Sequence, residues 1–188
     1  MTKQYFTPAL LFVPGLRDHV EDHWQTLFAR KVPGSRIVPP LEADKLSRDA
    51  RVEALQAALS SIDGPVVLVA HSAGVMITVH WAQKYSRPIH GALLAAPADL
   101  ENPMPQGYPQ AETLAEHGWL PIPRKPLPFP SIAAASTNDP LGKYERIERM
   151  ARDWGSRLVN VGAVGHLNPA AGYGEWPRGE ELVRELLI

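Results

Sequence analysis

VVLVAHSAGV, residues 66–75, sets a run of five apolar residues against a helical apolar segment through a four-residue turn with Ser72 at its apex. The run is short and rich in β-branched residues, which predicts a strand buried on both faces. The continuation, VMITVHWAQKY (75–85), places apolar residues on nearly every helical face, so it reads as a helix buried on most sides. A serine held between two such elements must adopt a strained backbone angle for its hydroxyl to project above the sheet. That turn requires small residues two before and two after it. Here they are Ala70 and Gly74, alanine standing where glycine is usual. This is the layout of a nucleophile elbow. The helix start after Ser72 aims free amides and a positive dipole end at the serine, making the Ala73 N–H a candidate oxyanion donor. The alternative is that Ser72 is only a helix N-cap.

Outward from the turn, the strand candidates are ALLFV (9–13), RIV (36–38), VVLVA (66–70), IHGALLA (89–95), SIAAAS (131–136) and RLVNV (157–161). Between them run helical patterns: Val20, Trp24, Leu27 and Phe28; Val52, Leu55, Leu59 and Ile62; Tyr144, Ile147, Met150, Ala151 and Trp154; Leu182, Val183, Leu186 and Leu187. Strands alternating with helices predict an α/β fold, a mainly parallel sheet of about six strands with helices on both faces. At 188 residues the chain is expected to form one domain, 1–188. Nine of the nineteen prolines fall between Pro97 and Pro130. Such density predicts an irregular segment at about 97–130, either a lid or substrate-shaping loop or a passive connection.

Composition narrows the chemistry. With 45% apolar and 21% charged residues and a net charge of −1, the chain resembles ordinary soluble globular proteins and offers no electrostatic pull toward nucleic acid or an anionic membrane. Zero cysteines exclude disulfides and thiolate catalysis and are compatible with a cytoplasmic location, the compartment expected here. The amino-terminal apolar run is too short for a membrane span and lacks a signal-peptide cleavage pattern.

A nucleophile needs a base, and the base an orienting acid. Enzymes with such an elbow draw these from loops after later strands, in the chain order serine, acid, histidine. SIAAAS is followed by TNDP, which offers Asp139. RLVNVG is followed by AVGHLNP, which offers His166. In open α/β sheets the crevice lies beyond the carboxyl ends of the strands, so Ser72, Asp139 and His166 are expected at one edge. Asp139 could instead be a turn-forming residue and His166 a surface loop histidine. His71 is discounted as the base, because neighbours in a tight elbow point to different sides. The first strand-to-helix turn, FVPGLRD, makes the Leu16 amide the second candidate oxyanion donor, with Gly15 allowing close approach.

His19 and His23 stand four apart beside Asp18, Glu21 and Asp22, but Val20 occupies the position where a zincin motif needs glutamate. Asp18 reads instead as the cap of the following helix. No metal or other cofactor is expected, and no dinucleotide or phosphate-loop glycine pattern occurs. Trp24, Trp81, Trp154 and Trp176 are expected to pack.

FVPGL (12–16), His23-Trp24, LVAHSAG (68–74), LPFPSIAAASTNDP (127–140) and GHLNPAAGYGEWP (165–177) together resemble the small serine hydrolase family that includes the retinoblastoma-binding protein 9-like and YdeN-like proteins of the α/β-hydrolase superfamily. The likeness runs nearly end to end. It implies a compact α/β-hydrolase core, a Ser72, Asp139, His166 triad, and carboxylesterase-type hydrolysis of a small acyl ester, amide or thioester. Asn138 departs from the Asp-Asp-Pro of that resemblance, leaving Asp139 as the only carboxylate of its loop. The rival expectations are a non-catalytic protein-binding module on the same scaffold, and an acyltransferase or thioesterase using the same serine.

Overall fold

The computed structural model describes residues 7–188. Six strands, β1 (Ala9–Val13), β2 (Arg36–Ile37), β3 (Val66–His71), β4 (Gly91–Ala95), β5 (Ser131–Ala135) and β6 (Arg157–Asn160), form one parallel sheet in the order β2-β1-β3-β4-β5-β6. Each crossover carries chain over a sheet face. Helices α1 (Trp24–Lys31), α2 (Arg48–Ser60), α3 (Ala73–Lys84), α4 (Ala111–Glu116), α5 (Tyr144–Trp154) and α6 (Pro177–Leu186) and a short 3-10 helix at Pro169–Ala171 accompany the sheet.

The period-two alternation of the strands divides the core. Val66, Leu68 and Ala70 of β3, with Ala92 and Leu94 of β4, pack against α2, α3 and α5. Val67 and Val69, with Leu93 and Ala95, pack against Trp24 and Phe28 of α1 and Leu182 and Val183 of α6. The central strands are fully buried, so each of these larger side chains contributes roughly 1.5–3 kcal/mol of transfer free energy. Trp24, Trp81, Trp154 and Trp176 are all buried in this packing.

Register aligns the ends. Val13 pairs with Ala70, Ala70 with Leu94, and His71 with Ala95, so β1, β3 and β4 finish at one level. Strand order reverses between β1 and β3, which opens the crevice above their carboxyl ends.

Three local expectations are corrected. Helix α1 starts at Trp24 and leaves Val20 outside. Its cap is His23, whose Nδ1 accepts the Gln25 N–H, whereas Asp18 has a left-handed φ of 55° and is drawn to Arg51 instead. The proline-rich segment contains α4, because Ala111–Glu116 is a proline-free interval long enough for a turn and a half of helix. That segment is also anchored, with Leu114, Trp119, Ile122, Leu127 and Phe129 buried in the core.

Candidate active site

Ser72 sits at φ 58° and ψ −127°, a conformation that costs an L-residue about 1–3 kcal/mol and persists only where its surroundings impose it. Its N–H donates to the Ala95 carbonyl at 3.0 Å, and its carbonyl accepts from Val75 N–H at 3.0 Å, clamping both sides of the turn. Gly74 lies against the end of β1: a Cβ there would come within 2.0 Å of the Val13 oxygen and 2.8 Å of the Pro14 oxygen. Ala70 is fully buried, so the fold accommodates a methyl at that elbow position. Ser72 occupies the N-cap position of α3, yet its side chain makes no capping hydrogen bond. The hydroxyl is turned to a histidine.

The structure brings the three distant residues together. His166 Nε2 is 2.8 Å from Ser72 Oγ, and His166 Nδ1 is 2.8 and 3.0 Å from the two carboxylate oxygens of Asp139. A carboxylate only accepts, so Nδ1 carries the proton and Nε2 is left to accept from the serine hydroxyl. His166 and Asp139 are both buried. Asp139 also forms the Asx turn that its sequence context suggested, its Oδ1 accepting Leu141 N–H at 2.8 Å. The turn bond and the imidazole contact coexist, and the former aims the carboxylate.

Four residues that sequence reasoning did not assign hold this arrangement. Asn138 Oδ1 accepts the Gly165 N–H at 2.7 Å, and Ser136 Oγ donates to Asn138 Oδ1 at 3.0 Å while accepting Val164 N–H at 3.2 Å. These bonds tie the loop after β5 to the loop bearing His166. His71 Nε2–H donates to the His166 carbonyl at 2.8 Å. The rings of His23, His71 and His166 follow one another with centroids 4.5 and 4.9 Å apart. Burial, followed by the nearby His166 imidazole, pushes the His23 pKa down to about 4. Burial likewise holds the His71 pKa well below its ordinary value. Both rings are therefore neutral near pH 7. The only sequence signals were the His23-Trp24 pair and the histidine inside the elbow. His19 diverges from His23, lying exposed with its Nδ1 3.4 Å from Thr26 Oγ1.

Ser72 and His166 open into a cavity of about 410 Å³. The turn after β1 supplies Gly15 and Leu16, the elbow supplies Ala73, and the proline-rich segment supplies an apolar wall that includes Met104, Tyr108 and Leu114. Gly15 brings this turn close to the serine: an added Cβ would lie 3.2 Å from Ser72 Cβ and 3.4 Å from Ser72 Oγ, a tight contact. The Leu16 N–H makes no hydrogen bond among the described residues, and Ala73 is the first residue of α3, where a helix has no internal acceptor for its amide. The arrangement can pass the serine hydroxyl proton to Nε2 and so ready Oγ to attack a carbonyl carbon.

Among the described residues no helix is long and apolar enough to cross a membrane. The family model described as Serine hydrolase matches residues 10–185. Among solved structures, the chain is 32% identical to one described as a YdeN-like hydrolase from Pectobacterium atrosepticum, with a TM-score of 0.80 over 96% of this chain and 91% of that one. It is 15% identical to the ydeN gene product from B. subtilis, with a TM-score of 0.72 over 96% and 98%. At the level of fold it is similar to Est1E from Butyrivibrio proteoclasticus, 12% identical with a TM-score of 0.68 over 96% and 88%. No curated protein matches the chain.

Proposed function

The chain belongs to the serine hydrolase family, and on that premise we propose that it is a carboxylesterase-type enzyme cleaving a small acyl ester through Ser72, His166 and Asp139. His166 Nε2 takes the hydroxyl proton as Ser72 Oγ bonds to the substrate carbonyl carbon. The carbonyl electron pair moves onto oxygen, where the Leu16 and Ala73 N–H groups receive it. Collapse of this tetrahedral species breaks the bond to the leaving alkoxide, which takes the proton from His166 and departs as the alcohol. Water, deprotonated by the same Nε2, then attacks the acyl-serine, and the acid is released with the proton returned to Ser72 Oγ. Asp139 keeps the proton on Nδ1 and stabilises the imidazolium between steps. An amide or thioester would follow the same course with a different leaving group. The lack of cysteine is compatible with work in the cytoplasm.

The observation that carries this reading is the unbroken hydrogen-bonded chain from Ser72 Oγ through His166 to Asp139, at 2.8, 2.8 and 3.0 Å. A fluorophosphonate probe should label the protein and Ser72→Ala should not be labelled. A panel of p-nitrophenyl esters of graded acyl length should be hydrolysed by the wild type alone. Labelling that persists in Ser72→Ala counts against the nucleophile. A wild type inert to both probe and esters favours a binding module on a hydrolase scaffold.

A further inference from the structure

The mouth of the Ser72 cavity carries two cationic side chains, Arg17 and Lys45. Neither forms an ion pair among the described residues, and both residues are exposed. Among the described residues the only carboxylate on the cavity wall is Asp18, and its charge is taken up by Arg51, a buried guanidinium that contacts both of its oxygens. Arg51 also donates through Nη2 to the Leu16 carbonyl at 3.3 Å and through Nε to the Lys45 carbonyl at 2.9 Å. One buried side chain thus holds the turn bearing Arg17 beside the loop bearing Lys45. The Arg17 guanidinium is further laid over the Tyr108 ring, 5.1 Å from its centroid.

From this we infer that the preferred substrate is an ester carrying an anionic group, a carboxylate in the simplest case, at the end of an apolar span, with Arg17 and Lys45 receiving the anion. The inference rests on the hydrolase reading of Ser72 but concerns what the cavity selects. Its interior wall is largely apolar, formed by such residues as Leu46, Leu100 and Met104, which suits a hydrocarbon chain between the reacting carbonyl and the mouth. With Asp18 neutralised, the wall has a local excess of positive charge that the overall charge of −1 conceals. Partial desolvation beside an apolar wall strengthens such pairing relative to open water. Arg17 adjoins Leu16 in the chain, so the group that would read the anion and the amide that would hold the oxyanion belong to one turn.

Two measurements test this with separate failure modes. In the first, kcat/KM is compared for the mono-p-nitrophenyl esters of adipic and suberic acid against p-nitrophenyl hexanoate and octanoate. The wild type should favour the anionic member of each pair by roughly tenfold at low ionic strength. The preference should lie mainly in KM, shrink with added salt, and fall toward unity in the Arg17→Gln/Lys45→Gln double variant. In the second, Ser72→Ala is titrated calorimetrically with monomethyl suberate and with dimethyl suberate. The monoanion should bind several-fold more tightly, and adding the two charge-removing substitutions should abolish the difference. Equal binding of the two suberates, or an anion preference that survives the double variant, overturns the inference. A binding preference without any ester turnover would instead overturn the hydrolase reading and leave the anion site standing.

Discussion

The His71 imidazole, inside the elbow, donates Nε2–H to the backbone carbonyl of His166 at 2.8 Å. The residue next to Ser72 in the chain therefore holds the main chain of the residue whose imidazole faces the Ser72 hydroxyl. Because burial keeps His71 neutral, it has one N–H, and this contact commits that proton to Nε2.

Replacing His71 with leucine should leave the His166 carbonyl without its donor and free the imidazole to drift from Ser72. Hydrolysis should fall roughly tenfold to a hundredfold, mostly in kcat, as small displacements at a reacting centre do. Urea unfolding should register a loss of about 1–3 kcal/mol. Part of the kcat loss should return in His71→Asn, which restores an N–H; equal kcat in the wild type and His71→Leu would show that the contact does not position the base.

Asp139→Asn keeps the shape of the loop and can still accept from Leu141 N–H, but its amide group can favour the wrong imidazole tautomer. Ester turnover should drop by a factor on the order of 10⁴. Fluorophosphonate labelling should slow in parallel while the fold, followed by circular dichroism, is retained. A decrease of only a few-fold would mean that Asp139 is not the orienting acid.

The two small positions of the elbow should respond unequally. Gly74→Ala forces a methyl to within 2.0 Å of the Val13 carbonyl, so α3 must move off β1. A loss of about 3 kcal/mol or more is expected, at the upper end of overpacking costs. Ala70→Gly restores the more usual motif at a cost of about 0.5–1 kcal/mol for the added chain freedom, and should leave probe labelling intact. Thermal unfolding of the two variants, together with labelling, checks the ordering.

Acid should destabilise the protein through its buried imidazoles. His23 has a pKa of about 4 when folded and about 6.5 when exposed, so the unfolded chain binds the extra proton between these values. The stability due to neutral His23 is complete above pH 6.5 and is lost as pH falls toward 4. The loss is about 3 kcal/mol at most, and the depressed pKa of His71 acts in the same direction. His23→Asn keeps an acceptor for Gln25 N–H and removes the titration, so its urea midpoint should depend less steeply on pH across this interval. Identical slopes for variant and wild type would exclude His23 as a source of the acid sensitivity.

The cores of β1, β3, β4 and β5 could be read from residue order because a buried parallel strand is a local run of apolar side chains, whereas the sheet-edge strands β2 and β6, partly exposed, were legible from their β-branched residues. The start of β4 at Gly91 and the helix α4 could not be placed by that rule. Histidine and proline near these boundaries carry no period, and α4 is stabilised by burying Leu114 in a core assembled from remote segments. The same limit explains Asp18, whose residue type suits a cap but whose charge is drawn to Arg51 across 33 positions.

By itself the amino-acid order determined the alternation of strand and helix and the elbow around Ser72. It also named Asp139 and His166 as its partners, because strand runs, small-residue turns and chain order are written locally. Only the tertiary structure decided that the three side chains lie within hydrogen-bonding distance. It alone placed His71 against the His166 carbonyl, brought the His23 ring to within 4.5 Å of the His71 ring, and bound the Arg17 and Lys45 segments together through Arg51. Those contacts end on backbone oxygens or on ring faces, which every residue or many residues can offer, so they leave no pattern in the chain until folding brings the partners together.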